Sequence, residues 1–245
     1  MTTARPFPRL SSAQTLDGLL LVDKPSGVTS HDVVQVVRRK LGVRRVGHTG
    51  TLDPMAQGLL MLVVGQATKH QHTLQGHEKT YEAVLRLGTQ TDTGDATGVP
   101  VRTAPVPMLD QARVAETLAS FRGLLSQRPP AYSAVKVKGH PAYWWARRNR
   151  PVALPSRTVH VVDIALLGCT TETITFRVQC SAGTYIRSLA ESVAERLGTV
   201  GHLTHLVRVR IGEWRAEDAK PLAWIREASP DVLARELMPV SHLHP

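Results

Sequence analysis

Between Glu116 and Asp163 the sequence contains no acidic residue at all. The shortage is general, because 20 Asp and Glu stand against 30 Lys and Arg and leave a formal charge of +10. Such a balance favours polyanionic partners over neutral metabolites. Cysteine is nearly missing: Cys169 and Cys180 form no C-x-x-C pair, so neither a disulfide framework nor a thiolate zinc site is expected. No run of about 18 apolar residues occurs, which leaves nothing to span a bilayer. The opening MTTARPFPRLSSAQT lacks the apolar core of a signal peptide, and a cytoplasmic protein is expected. Also lacking are G-x-x-x-x-G-K-[ST] and G-x-G-x-x-G, the patterns that cradle phosphates. The histidine pairs His70/His72 and His202/His205 have no H-E-x-x-H and no neighbouring cysteine, so no metal is expected.

What is present begins with size: 245 residues, 42 % of them hydrophobic, suit one large or two small domains with an ordinary core. The acid-free stretch carries Lys136, Lys138, Arg147 and Arg148 among its cations, interleaved with Tyr132, Tyr143, Trp144 and Trp145. Cations neutralise phosphates, and flat rings stack on bases, so the mixture suits RNA or a single strand. A solvated basic face above core aromatics accounts for the same composition.

Strand-like and helix-like patterns alternate without a fixed repeat, which points to α/β or α+β. GLLLVDKP reads as a buried strand ended by Pro25, and Thr29 or Ser30 then caps a helix to about Leu41. LLMLVVG is a second buried strand. KTYEAVLRLG is a third, with Tyr81, Ala83, Leu85 and Leu87 on one side. QTDTGDATGVP has loop composition, and Asp110 caps a helix expected to end at Gly123. RTVHVVDIALLG and TITFRVQC read as neighbouring strands, TYIRSLAESVAERLG as a helix, HLTHLVRVRIGEW as a returning strand, and the last thirty-odd residues as two short helices.

The segment GHTGTLDPMAQG, Gly47 to Gly58, holds one carboxylate, Asp53. Asp-Pro is ordinary turn chemistry. A catalytic role needs the carboxylate ionised yet partly desolvated, and therefore a cation beside it. Arg187 is a candidate for that cation, since near a helix start it needs an anion to offset the dipole.

Taken together, LLLVDKPSGVTS, GHTGTLDPMAQGLLMLVVGQATK, KTYEAVLRLGTQTDTGDATG, RPPAYSAVKVKGHPAYWWAR and CSAGTYIRSLAESVAERLG occur in an order that resembles the TruB family of tRNA pseudouridine-55 synthases, from about Gly18 to Trp214. The resemblance implies an α+β pseudouridine synthase fold: a mixed, mainly antiparallel central sheet flanked by helices, with an RNA-binding insertion. It implies a tail at 1–17, a catalytic domain at 18–212 with a basic RNA-clasping insertion at about 124–157, and a short extension at 213–245, too small for a full RNA-binding PUA domain. The implied reaction isomerises a T-loop uridine of tRNA without a cofactor, and the implied enzyme is a monomer that needs no protein partner. By resemblance Asp53 is the catalytic aspartate, acting as nucleophile or proton acceptor, Tyr81 stacks on the target base, and Arg187 pairs with the aspartate. Leu206 lies beneath the base, His48 helps hold the T loop open, Asp95 contacts that loop, and Lys24 has a mainly structural role. Lys136, Lys138, Arg147 and Arg148 are candidates for phosphate contacts.

Overall fold

The computed structural model describes residues 16–150 and 152–240, so all but the end of the expected tail at 1–17 lies outside the described residues. The chain forms two compact units: the first takes the residues up to His77 together with those from Val207 onward, and the second runs from Glu78 to Leu206.

In the first unit β1 (Gly18–Lys24) leads into α1 (Ser30–Leu41), followed by β2 (Val46–His48), β3 (Gln57–Val64) and α2 (Gln71–Gln75). β3 pairs antiparallel with both β1 and β2, Leu21 standing opposite Met61 and Gly47 opposite Val63. Strands β1 and β3 are buried along nearly their whole length. That is why both read as unbroken apolar runs instead of alternating ones. Thr29, not Ser30, caps α1: its hydroxyl accepts from the Asp32 amide while the Asp32 carboxylate accepts from the Thr29 amide at 2.8 Å. Gly42, at φ +66°, closes the same helix in the left-handed conformation.

The second unit contains β4 (Lys79–Leu87), β5 (Thr89–Thr91), β6 (Pro100–Thr103), α3 (Gln111–Ala119), β7 (Gly123–Gln127), β8 (Lys136–Val137), β9 (His140–Pro141), α4 (Ala142–Ala146), β10 (Arg157–Cys169), β11 (Thr173–Cys180) and α5 (Ile186–Arg196). Its sheet runs β4-β11-β10-β7 with antiparallel neighbours throughout. The alternation read in β4 is real: Tyr81, Ala83, Leu85 and Leu87 are buried. Helices α3 and α5 cover β10 and β4, and the stripe Ile186, Leu189, Ala190 and Val193 of α5 is buried.

Strand β12 (Gly201–Ile211) carries the chain back to the first unit, where Val207 and Arg208 pair in parallel with Gln57 and Gly58. Then come β13 (Trp214–Arg215), β14 (Lys220–Pro221), α6 (Leu222–Glu227) and α7 (Pro230–Arg235). β14 lies parallel to β1, and Met238 bridges Leu19, so the described part of 213–245 completes the first unit. Two parallel pairings among antiparallel ones make the sheet mixed and the class α+β, as expected.

Three local readings differ. The segment read as a loop after β4 is a hairpin, β5 against β6, because Asp92 and Asp95 turn their side chains back onto its amides. Helix α3 stops at Ala119, four residues before the expected glycine, and Gly123 at φ +100° opens β7. Residues 124–127, expected to begin the insertion, therefore lie in the strand that pairs with β10.

The capping box carries a stability consequence. Thr29→Ala is expected to lower unfolding free energy by about 1 kcal/mol, read as a lower urea midpoint at unchanged slope. An unmoved midpoint rejects that contribution.

Candidate active site

Asp53 sits in the turn between β2 and β3, half-buried, and the backbone around it is tied down from several sides. Lys24, at the end of β1, is wholly buried, and its ammonium donates to the carbonyls of Val28 at 2.8 Å, Pro25 at 3.0 Å and Pro54 at 3.3 Å. An ammonium has three protons to donate, and here each has an acceptor. The Pro54 carbonyl also accepts from the Gly27 amide at 2.8 Å. Because Thr29 takes the cap, the Ser30 hydroxyl is left to accept from the Leu52 amide at 2.9 Å and donate to the Leu52 carbonyl at 3.2 Å. The Ala56 amide donates to the Asp53 carbonyl at 3.1 Å and closes the turn.

The charges in this unit act on one another. Burial pushes the Lys24 ammonium down to about 8; the Asp53 carboxylate pulls it up and Arg208 pushes it further down. His48, at the end of β2, accepts the Gly50 amide on Nδ1 at 3.4 Å, which places the proton of its neutral ring on Nε2. Burial first, then the electrostatic influence of Arg208 and His31, holds its pKa below the ordinary histidine value.

The second unit holds the other candidates. Arg187 is the second residue of α5 and only 3 % exposed. Its guanidinium donates to the carbonyls of Thr93 at 2.6 Å and Tyr132 at 2.9 Å, and its Nε stands 3.8 Å from the Asp95 carboxylate. That carboxylate is itself engaged inside the protein. Its other oxygen accepts from the Thr97 hydroxyl at 2.6 Å, the Thr93 hydroxyl at 2.8 Å and the Thr97 amide at 2.9 Å, so Asp95 organises the hairpin turn. Gln127 fixes the start of α5 by exchanging two hydrogen bonds with the backbone of Tyr185, at 2.8 and 3.0 Å. Tyr81 on β4 and Leu206 on β12 are both buried.

Lys136, Lys138, Arg147 and Arg148 are exposed on and around the β8–β9 hairpin and α4. The aromatics beside them differ from free platforms. His140 lies flat on Trp144 at 4.2 Å, and the Arg148 guanidinium stands 3.7 Å from the centre of the same indole. Those separations leave no room for both on one side, so Trp144 is covered on both faces. Trp145 points its N–H at the Val137 carbonyl, at 3.1 Å.

Lys24, His48 and Asp53 thus belong to the first unit, and Tyr81, Asp95, Arg187, Leu206 and the four basic candidates to the second. Two supporting residues escaped the sequence reading. Arg208 had a signal, a cation two positions after Leu206 in a strand whose inner side is apolar. Gln127 had none, since its partner is 58 positions away.

Comparison with known proteins now bears on this arrangement. The family description "TruB family pseudouridylate synthase (N terminal domain)" matches residues 38–186. A protein of Burkholderia mallei named tRNA pseudouridine synthase B is 45 % identical over 243 residues, covering 99 % of this chain and 78 % of that protein. Its namesake in Aromatoleum aromaticum is 44 % identical over 228 residues, 93 % of this chain and 74 % of the relative. Among solved structures, one described as a crystal structure of a Cbf5-Nop10-Gar1 complex has a TM-score of 0.69 at 28 % identity and is matched over 92 % of this chain. The chain spans 60 % of the length of that solved chain. The chain belongs to the TruB family of pseudouridylate synthases, a class of isomerases.

The Lys24 ammonium gives a pH test. Its folded-state pKa, about 8, lies below the ordinary 10.5. Between those values the unfolded chain holds a proton that the folded one has released, so this group makes stability rise with pH across the window. Lys24→Met removes the dependence. The difference in unfolding free energy between parent and variant is expected to be flat below about pH 8 and to grow in the parent's favour from there towards pH 10.5. Urea titrations at four pH values measure it, and a flat difference throughout rejects the buried-ammonium account.

Proposed function

We propose that this chain isomerises uridine 55 in the T loop of tRNA to pseudouridine, with Asp53 as the carboxylate that acts on the extruded nucleotide. The observation that carries the reading is local to the first unit: the one carboxylate of residues 47–58 stands in a turn whose backbone is held at Leu52 and Pro54 by buried side chains. A carboxylate serving only as a turn cap needs no such bracing. Relatives named tRNA pseudouridine synthase B, at 45 % and 44 % identity, support tRNA as the substrate. The excess of 10 positive charges suits the same partner.

A uridine inside a folded loop hides its glycosidic bond, so it has to be swung out at a cost of about a few kcal/mol of unstacking. In this reading the Tyr81 ring stacks on the displaced base and recovers part of that cost. Leu206 supports the base, Arg187 is the candidate cation of the reaction, and His48 meets the opened loop. The glycosidic bond breaks, the uracil turns, and the ring rejoins the sugar through carbon. Asp53 acts either by attacking the nucleotide or by taking a sugar proton. Atoms balance without oxidant, energy source or cofactor. The basic residues of 124–157 grip the RNA backbone, and the enzyme works in the cytoplasm as a monomer without a protein partner.

Asp53→Asn is expected to bind unmodified tRNA like the parent and to make no pseudouridine, assayed by chemical mapping of the product RNA. Substantial isomerisation by the purified variant ends the role of Asp53, and modification outside the T loop reassigns the substrate. Replacing Lys136, Lys138, Arg147 and Arg148 together by Gln is expected to weaken tRNA binding and to flatten its log–log salt dependence by roughly one unit for each phosphate no longer neutralised. An unchanged slope removes these four from the RNA interface.

A further inference from the structure

Arg208 is a cation buried to 1 % exposure in the unit that carries Asp53, and nothing in the reaction outlined above uses it. It stands on β12 directly beside Gly58 of β3. Its Nε donates to the Leu59 carbonyl at 2.7 Å, and its Nη2 donates to the Gly50 carbonyl at 3.1 Å. Gly50 and Leu59 bracket the segment that presents Asp53, so a single planar group holds both of its ends. The strands come close enough for this because residue 58 is glycine: its φ is +94°, and a Cβ there would run into the Arg208 carbonyl oxygen. A guanidinium presents donors in a rigid fork, whereas an ammonium is a point charge with rotating donors, so the pair of bonds depends on arginine specifically. Arginine also keeps its proton at every pH a protein experiences, which makes the tie permanent.

We propose that Arg208 is a positioning residue, whose guanidinium clasps the start and the end of the 50–59 segment and thereby fixes where the Asp53 carboxylate stands. The proposal rests on the reading of Asp53 as the catalytic group. Lys24 and Ser30 hold the middle of the segment at Pro54 and Leu52, so loss of the clasp frees its ends without releasing the turn. A misplacement of about 1 Å at a reacting group costs on the order of a hundredfold in rate. Affinity is little affected, because the RNA is gripped elsewhere.

The test compares the full-length parent with Arg208→Gln and Arg208→Lys on an unmodified tRNA transcript. It reads the single-turnover rate, the tRNA dissociation constant, and the hydrogen exchange of the Thr49 and Gly50 amides at the clasped start of the segment. Arg208→Gln is expected to lose at least about tenfold in rate while its dissociation constant moves by less than about twofold. Arg208→Lys is expected to recover part of the rate, and both amides to exchange faster in either variant. Parental rate and exchange in Arg208→Gln overturn the proposal, as does a rate loss matched by an equal loss of affinity. Should Arg208→Gln fail to fold, Arg208→Lys decides by the same rate and exchange measurements, and parental behaviour there overturns the clasp. A parent that makes no pseudouridine, with exchange still quickened in the variants, sinks the isomerase reading and keeps the clasp. An active parent with indifferent variants sinks the clasp alone.

Discussion

Backbone carbonyls that no strand or helix consumes are the constraint around which both units are arranged. Burying such an oxygen without a donor costs free energy comparable to a missing hydrogen bond. This chain solves the problem with cations. Lys24 takes three carbonyls and Arg208 two in the first unit, and Arg187 takes two in the second. Six of the seven acceptors lie in connecting segments, and the seventh, Leu59, is the third residue of β3. The side chains therefore replace secondary structure as the fastening of the turns that carry the candidate groups.

A buried charge has its own cost, and the three cations meet it differently. Arg187 has the Asp95 carboxylate 3.8 Å away, and that acid is in turn satisfied by the threonines of its hairpin. Burial reduces the affinity of Lys24 for a proton to about 8, against the opposing pull of the Asp53 carboxylate. Arg208 is met by the Leu59 and Gly50 carbonyls. Its field reaches His48 and Lys24 and lowers the proton affinity of both. At His48 burial lowers the pKa most and Arg208 adds to it, so the side chain that binds the Gly50 and Leu59 carbonyls also acts on the histidine.

Much of the fold was legible because its signals are local. Unbroken apolar runs announced β1 and β3, a period of two announced β4, and a period near 3.6 announced α5. The misread places share a cause: their conformation is set by side chains folding back. Asp92 and Asp95 turn a loop-like composition into the β5–β6 hairpin, and no periodicity records that. The site was legible as motifs and not as bracing. Asp53, Lys24 and Arg187 stand in quotable stretches. The Ser30–Leu52 exchange, the two bonds of Arg208 and the two of Gln127 join residues 22 to 158 positions apart, and such partners cannot be inferred from a single line of letters.

The stack of His140, Trp144 and Arg148 repeats at every fourth residue and leaves the central indole no open side. A ring so enclosed cannot intercalate or take a third plane. Flat surface remains on Tyr143, 41 % exposed, with the Arg147 guanidinium 5.5 Å from its ring centre. The enclosed indole is thereby withdrawn from stacking, and any reading of a base by this segment falls to a ring with an open face, such as Tyr143.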